Sequence, residues 1–220
     1  MKNLRTKIAI LVISSLSFLG IQSASAVEGL TIGLSYGTHA YMGKGKETST
    51  SSGAAALKVT EEDGAFKEDG IPAVFVEYNV SDMVALGFEY VAEDVETPQN
   101  TNVQDTLTNT VRAQFNDHMT IYANIFMPFN TYLKLGYSQA DVATQESLGT
   151  GGAYPDVDTD GYTVGLGYQH KADNGMFIRV EASASEYSDV SASNTNETDK
   201  KVSVTDMYGA QAAVKVGKTF

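Results

Sequence analysis

Polar and apolar residues alternate along most of this chain with a period of two, and eight segments carry the pattern. "GLTIGLSYG" sets Leu30, Ile32, Leu34 and Tyr36 against Thr31, Gly33, Ser35 and Gly37. "PAVFVEYNV" sets Val74, Val76, Tyr78 and Val80 against Ala73, Phe75, Glu77 and Asn79. "VALGFEY", "MTIYANIFM", "TYLKLGYS", "GYTVGLGYQ", "MFIRVEASAS" and "MYGAQAAVKVGKTF" repeat the scheme. A strand turns successive side chains to opposite faces, so each segment is a strand with one apolar face and one small or polar face.

The connections alternate in length. Short turns fall at Ser81-Asp82, Pro128-Phe129-Asn130 and Ala172-Asp173-Asn174-Gly175, while long polar loops are expected over roughly 43–70, 93–118, 143–160 and 188–202. The segment 108–115 also alternates, which predicts an upward extension of the fourth strand or a small hairpin. Short connections at one end and long ones at the other suit a membrane-spanning antiparallel barrel with periplasmic turns and extracellular loops. A soluble sandwich would wet its polar face, but here that face is rich in Gly, which suits a crowded interior. Tyr and Phe gather towards strand ends: Tyr78, Phe129, Tyr132, Tyr168 and Phe220 at the turn end, and Tyr90, Tyr137, Tyr162 and Tyr187 at the loop end. Two interfacial girdles are the expectation.

The first 26 residues read differently. Lys2, Arg5 and Lys7 precede an apolar stretch from Ile8 to Leu19, which ends at Ala24-Ser25-Ala26. This is the pattern of a secretory signal peptide cleaved after Ala26. The stretch is too short for a spanning helix, which needs about 20 residues. The domain plan is thus residues 1–26 as signal peptide and 27–220 as one barrel.

Charge removes one class of function. Without Lys2, Arg5 and Lys7 the chain has 12 basic residues against 27 acidic. Nucleic acid, which needs clustered Lys and Arg, is not an expected partner. There is no Cys, so neither a disulfide nor a thiolate metal site is available.

The last strand sets Tyr208, Ala210, Ala212, Val214 and Val216 on one face and stops at Phe220. With the strand number and the loop asymmetry, this pattern resembles the eight-stranded outer-membrane barrels of the OmpA and OmpX type. The resemblance implies residence in the bacterial outer membrane among lipid and lipopolysaccharide, as a monomer without a further domain. It also implies that Phe220, Val216, Val214 and Tyr208 form the signal read by the barrel-assembly machinery. Lys218 departs from the family's apolar residue at its position, and a Lys at the rim can snorkel to the head groups.

Three groups of residues carry candidate chemistry. The inward face holds Glu77, Glu89 and Glu181 against Lys134, Arg179 and Lys215, three of each sign. A narrow, poorly hydrated lumen demands such balance, because an unpaired buried charge is costly. Counting residues from the turn end predicts one layer of Glu77, Lys134 and Arg179, and a second of Glu89, Glu181 and Lys215 with Glu181 meeting Lys215. The resemblance adds that OmpA-type barrels hold a comparable plug. Asp156, Asp158, Asp160 and Gly161 reproduce the opening of a calcium loop, but the position for its bidentate Glu is Gly167 and no helices flank it, so at most weak binding is expected. His39 and His118 near the loop end and His170 near the turn end lack the neighbouring Ser and orienting acid of a nucleophilic site, so they are read as rim histidines.

The functional expectation is a non-enzymatic barrel without cofactor, serving envelope integrity or surface interaction. A narrow channel or small-ligand transporter is the alternative. A third is an adhesin or surface receptor acting through loops 43–70 and 188–202. The acidic loops would attract divalent cations that also bridge lipopolysaccharide phosphates.

Overall fold

The computed structural model describes residues 28–50, 57–104, 107–148, 152–197 and 199–220, so the expected signal peptide lies outside the described residues. Eight long strands form the wall: β1 (Leu30–Thr50), β2 (Leu57–Ser81), β3 (Val84–Val91), β6 (Leu107–Met127), β7 (Thr131–Ser147), β8 (Val157–Lys171), β9 (Met176–Tyr187) and β11 (Lys200–Thr219). Each pairs antiparallel with the next, and β11 pairs with β1 to close the ring. Closure leaves no edge within the barrel, the condition for a sheet to cross lipid. The chain is an all-β, eight-stranded antiparallel up-and-down barrel. Among the described residues three shorter strands decorate it: β4 (Val95–Glu96) and β5 (Asn100–Gln104) pair with β6, and β10 (Val190–Ser193) pairs with β11.

The alternation sorts the side chains. Leu86, Ile121, Leu135, Val164, Leu166, Ile178, Val180, Val214 and Val216 stand exposed on the outer wall, while Thr31, Ser35, Phe75, Glu77, Tyr122, Asn124, Lys134 and Ser138 are buried inside. An apolar exterior around a polar interior inverts a soluble protein and matches a wall in contact with lipid. The three short connections sit where the sequence places them. In the second, Phe129 and Asn130 take left-handed φ values of 65° and 60°.

The long loops differ from expectation. Residues 43–70 are for the most part a hairpin, in which β1 and β2 stay paired from Gly43↔Gly64 up to Thr50↔Leu57. Residues 108–115 extend β6 upward and also form one arm of a hairpin with β5, so both expected outcomes occur together. The physical reason is exposure. Beyond the membrane both faces of a strand meet water, so backbone pairing continues without the apolar alternation that marks a strand in sequence.

The girdles also need correction. Tyr78, Phe129 and Tyr168 at the turn end, and Tyr137 and Tyr162 at the loop end, are exposed as expected. Tyr132 and Tyr187 instead enter the barrel, where Tyr132 meets Glu181 and Tyr187 meets His118. Tyr132 shares parity with Lys134, and Tyr187 with Glu181, so the alternation itself carries the signal. Tyr90 is buried and donates a 2.8 Å hydrogen bond to Asp117.

Candidate functional site: the barrel lumen

The lumen is filled from four sides by aromatic rings, each lying flat on an inward-facing glycine of a neighbouring strand. A methyl group on Gly33 would stand 2.2 Å from Cζ of Phe75, and one on Gly167 would stand 2.2 Å from Cζ of Tyr132. Gly87 and Gly217 receive Tyr122 and Phe177 in the same way. The Gly-rich polar face is therefore a set of seats for rings, and any side chain at these positions would push the ring into the lumen.

Between the rings lie the six ionisable groups, none more than 5% exposed. Arg179 grips Glu77 through both guanidinium nitrogens, at 2.6 Å to Oε1 and 2.8 Å to Oε2. Its Nε donates to Gln169 at 2.6 Å, and its guanidinium carbon lies 4.3 Å from the Phe177 ring centre. Glu77 Oε1 also accepts from Tyr122 Oη at 2.8 Å and Asn124 Nδ2 at 2.9 Å. A planar fork on a carboxylate, stacked on an aromatic face, is the arrangement that suits Arg over Lys.

The other four charges form a second cluster. Glu181 Oε1 meets Lys134 Nζ at 3.1 Å and Lys215 Nζ at 2.9 Å, and Tyr132 Oη donates to Oε2 at 2.8 Å. Glu89 Oε2 takes Lys134 Nζ at 3.4 Å and a close contact from Lys215 Nζ. Lys134 Nζ also sits 4.3 Å above the Tyr122 ring. Each cluster is neutral as a whole, and every charged group in it has an opposite partner, which is what makes their burial tolerable.

Glu181 and Lys215 meet as the sequence suggests, but Lys134 does not share a layer with Glu77 and Arg179. It joins Glu89, Glu181 and Lys215. The cause is the stagger of the strands. Following paired residues around the wall from Glu77 leads through Gly87, Tyr122, Gly136, Thr163, Ser185, Gly209 and Tyr41 to Phe66. The circuit returns to β2 eleven residues from its start (77 − 66). Counting from the turn end therefore does not give height in a sheared barrel. Phe75, Tyr122, Asn124, Phe177 and Gln169 complete the site and were not anticipated as parts of it, although their parity places them inward.

The loop geometry behind the calcium reading of Asp156, Asp158 and Asp160 is not formed. β8 begins at Val157, so Asp158 and Asp160 lie within a strand, paired opposite Asp141 and Gln139. Carboxylates at alternate strand positions stand about 6.6 Å apart along the strand, without the sharp turn by which a calcium loop gathers its ligands. Among the described residues no group of three or more His, Cys, Asp or Glu is placed to hold a metal.

Asp141 and Asp158 lie beyond the exposed Tyr137 and Tyr162, above the apolar wall. Partial burial, and next the Asp158 carboxyl beside it, hold the Asp141 carboxyl above the usual carboxylate range. A folded carboxyl that keeps its proton to higher pH stabilises the fold below that pH, and the benefit is lost as pH rises through the folded value. Asp141→Asn should therefore raise the heat resistance of the folded band on unheated gels at neutral pH and leave it unchanged in acid. Equal heat resistance of variant and parent at neutral pH would show that the two carboxyls do not oppose each other.

His170 is exposed at the turn end, as a rim histidine should be. His39 is not a rim residue: it is 3% exposed inside the barrel, with Nδ1 3.2 Å from Tyr41 Oη. His118 is half-buried, with Nε2 3.2 Å from Tyr187 Oη. The row expected as an assembly signal faces out at Tyr208, Val214 and Val216. Phe220 joins the two ends of the wall, donating its N–H to Leu30 and accepting from Gly29, both at 2.8 Å.

No protein-family model matches the chain, and no curated protein matches its sequence. Solved structures do match its shape. The outer membrane protein OprG from Pseudomonas aeruginosa superposes with a TM-score of 0.51 at 11% identity, over 88% of this chain and 97% of OprG. The outer membrane protein AlkL, determined by solid-state NMR in DMPC lipid bilayers, superposes with a TM-score of 0.50 at 12% identity, over 91% of this chain and 94% of AlkL. With its lipid-compatible wall, closed ring and polar interior, the chain has the fold of the bacterial outer-membrane β-barrel proteins.

Proposed function

We propose that this protein is a non-enzymatic outer-membrane barrel with a closed lumen, which serves envelope integrity or surface interaction. The observation that carries the reading is the double ionic plug. Glu77 and Arg179 in one cluster, and Glu89, Lys134, Glu181 and Lys215 in the other, leave no charge unmatched and stand between packed rings. A channel needs a hydrated path, and here the polar groups that would line one are already bonded to each other. The same observation weighs against the narrow-channel alternative. Against catalysis, the two histidines inside the barrel sit beside tyrosine hydroxyls, and among the described residues neither has a serine and an acid in a nucleophile arrangement.

Surface interaction has its own support. β1 continues 14 residues past Tyr36, roughly 45–48 Å of strand. β2 and β11 run alongside it, so the part outside the membrane is a paired β wall and not a set of free loops. The protein acts as a monomer among lipid and lipopolysaccharide, and the outward row of Tyr208, Val214, Val216 and Phe220 is its recognition signal for barrel assembly. Planar-bilayer recording of the refolded chain tests the closed lumen. No steady porin-like current is expected at neutral pH, and a large steady current would overturn the reading.

A further inference from the structure

Above the ionic plug the lumen is closed a second time, by a layer built from rings. Tyr41 stacks between Phe66 and Phe115 at centroid distances of 5.4 and 5.3 Å, and Tyr187 lies 6.5 Å from it. Two of the chain's three histidines enter this layer, with His39 and His118 only 6.3 Å apart. A break in the β6–β7 register between Asn116 and Met119 accompanies the left-handed Asp117 (φ 49°) next to His118. Bulges of this kind re-aim a side chain, and the ring of His118 is brought against His39 and Tyr187. His39 Nε2 is buried and has no hydrogen-bond partner among the described residues.

We propose that this histidine–tyrosine layer is a proton-operated seal on the loop end of the lumen, closed while both imidazoles are neutral and opened when they take up protons. The inference rests on the closed-lumen reading. A buried imidazolium needs a carboxylate or water, and the carboxylates around this layer are either engaged by other groups or make no bond to its rings. From β3, Glu89 is already held by Lys134 of β7, Lys215 of β11 and Gln211 of β11. From β6, Asp117 accepts the Tyr90 hydroxyl. From β2, Glu68 stands opposite His39 in register but makes no hydrogen bond to either ring among the described residues, and Phe66 beside it is apolar. From β9, Tyr187 is neutral. The charges nearest below include two lysines, which repel a third cation, and a second imidazolium would repel the first across 6.3 Å. Protonation therefore drives the rings apart towards water, and water enters the layer.

Hydroxyl-radical footprinting of the full refolded chain reads this directly, because Tyr41 and Tyr187 are oxidised only where water reaches them. Between about pH 7.5 and about pH 3, a window carried well below the ordinary histidine range because burial disfavours the charged ring, oxidation of both should rise by about fivefold while the folded gel mobility is kept. The rise should vanish in His39→Phe/His118→Phe. Unchanged oxidation in the parent protein overturns the seal, and this needs no variant to fold. A rise that persists in the double variant also overturns it, since the histidines would not be its cause. A steady current at neutral pH would instead count against the closed lumen, so the two failures are separable.

Discussion

Arg179→Ala should lower the unfolding free energy of the barrel by about 3–5 kcal/mol, the range for removing one partner of a buried ion pair. The size follows from what is left behind. Glu77 is 1% exposed and would keep only the Tyr122 and Asn124 hydrogen bonds against a full negative charge. The Phe177 ring would also lose the cation stacked on it. If the barrel instead lets water in to solvate Glu77, the free-energy loss shrinks and a conductance appears. Urea-induced unfolding in detergent together with bilayer recording distinguishes these results. A variant as stable as its parent and equally non-conducting would show that the Glu77–Arg179 pair does not hold the lumen. Arg179→Lys should recover only part of the loss, because an ammonium cannot engage both oxygens, Gln169 and the ring stack at once.

The second large effect is expected at a residue with no side chain. Gly167→Ala places a methyl 2.2 Å from the Tyr132 ring, on a side chain fully buried among its neighbours. Overpacking of this kind costs about 1–3 kcal/mol. If Tyr132 swings aside and releases Glu181, a hydrogen bond to a charged group worth about 1.5–3 kcal/mol goes with it. The partner variant makes the test specific. Tyr132→Leu removes ring and hydroxyl, so Gly167→Ala should cost little on that background, and the two substitutions should couple strongly in a double-mutant cycle. Additive costs would mean that the glycine is required for its backbone and not as a seat for the ring.

These effects follow from features that differ in how far the sequence reveals them. Alternation along one strand sorts its faces without knowledge of any other strand, because the pleat turns each residue opposite to the last. The inward orientation of Glu77, Glu89, Lys134, Arg179, Glu181 and Lys215 is therefore local information, and so is that of Phe75, Tyr122 and Tyr132. Strand number and the three tight turns are local for the same reason, since turn residues interrupt the period where the chain must reverse.

Height in the barrel is not local. Lys134 meets Glu89 and Glu181 and not Glu77, because each strand is displaced along its neighbour and the displacements add up to eleven residues around the ring. No count along one strand contains that sum. The upper layer is hidden twice over: it depends on the bulge at Asn116–Met119 and on β1 and β6 rising past the apolar wall, where polar sequence no longer signals a strand. Sequence by itself determined which residues face the lumen and that their charges balance, since both follow from parity and composition. Only the closed, staggered ring decided which charges meet, and that the His39 and His118 rings come together inside the barrel.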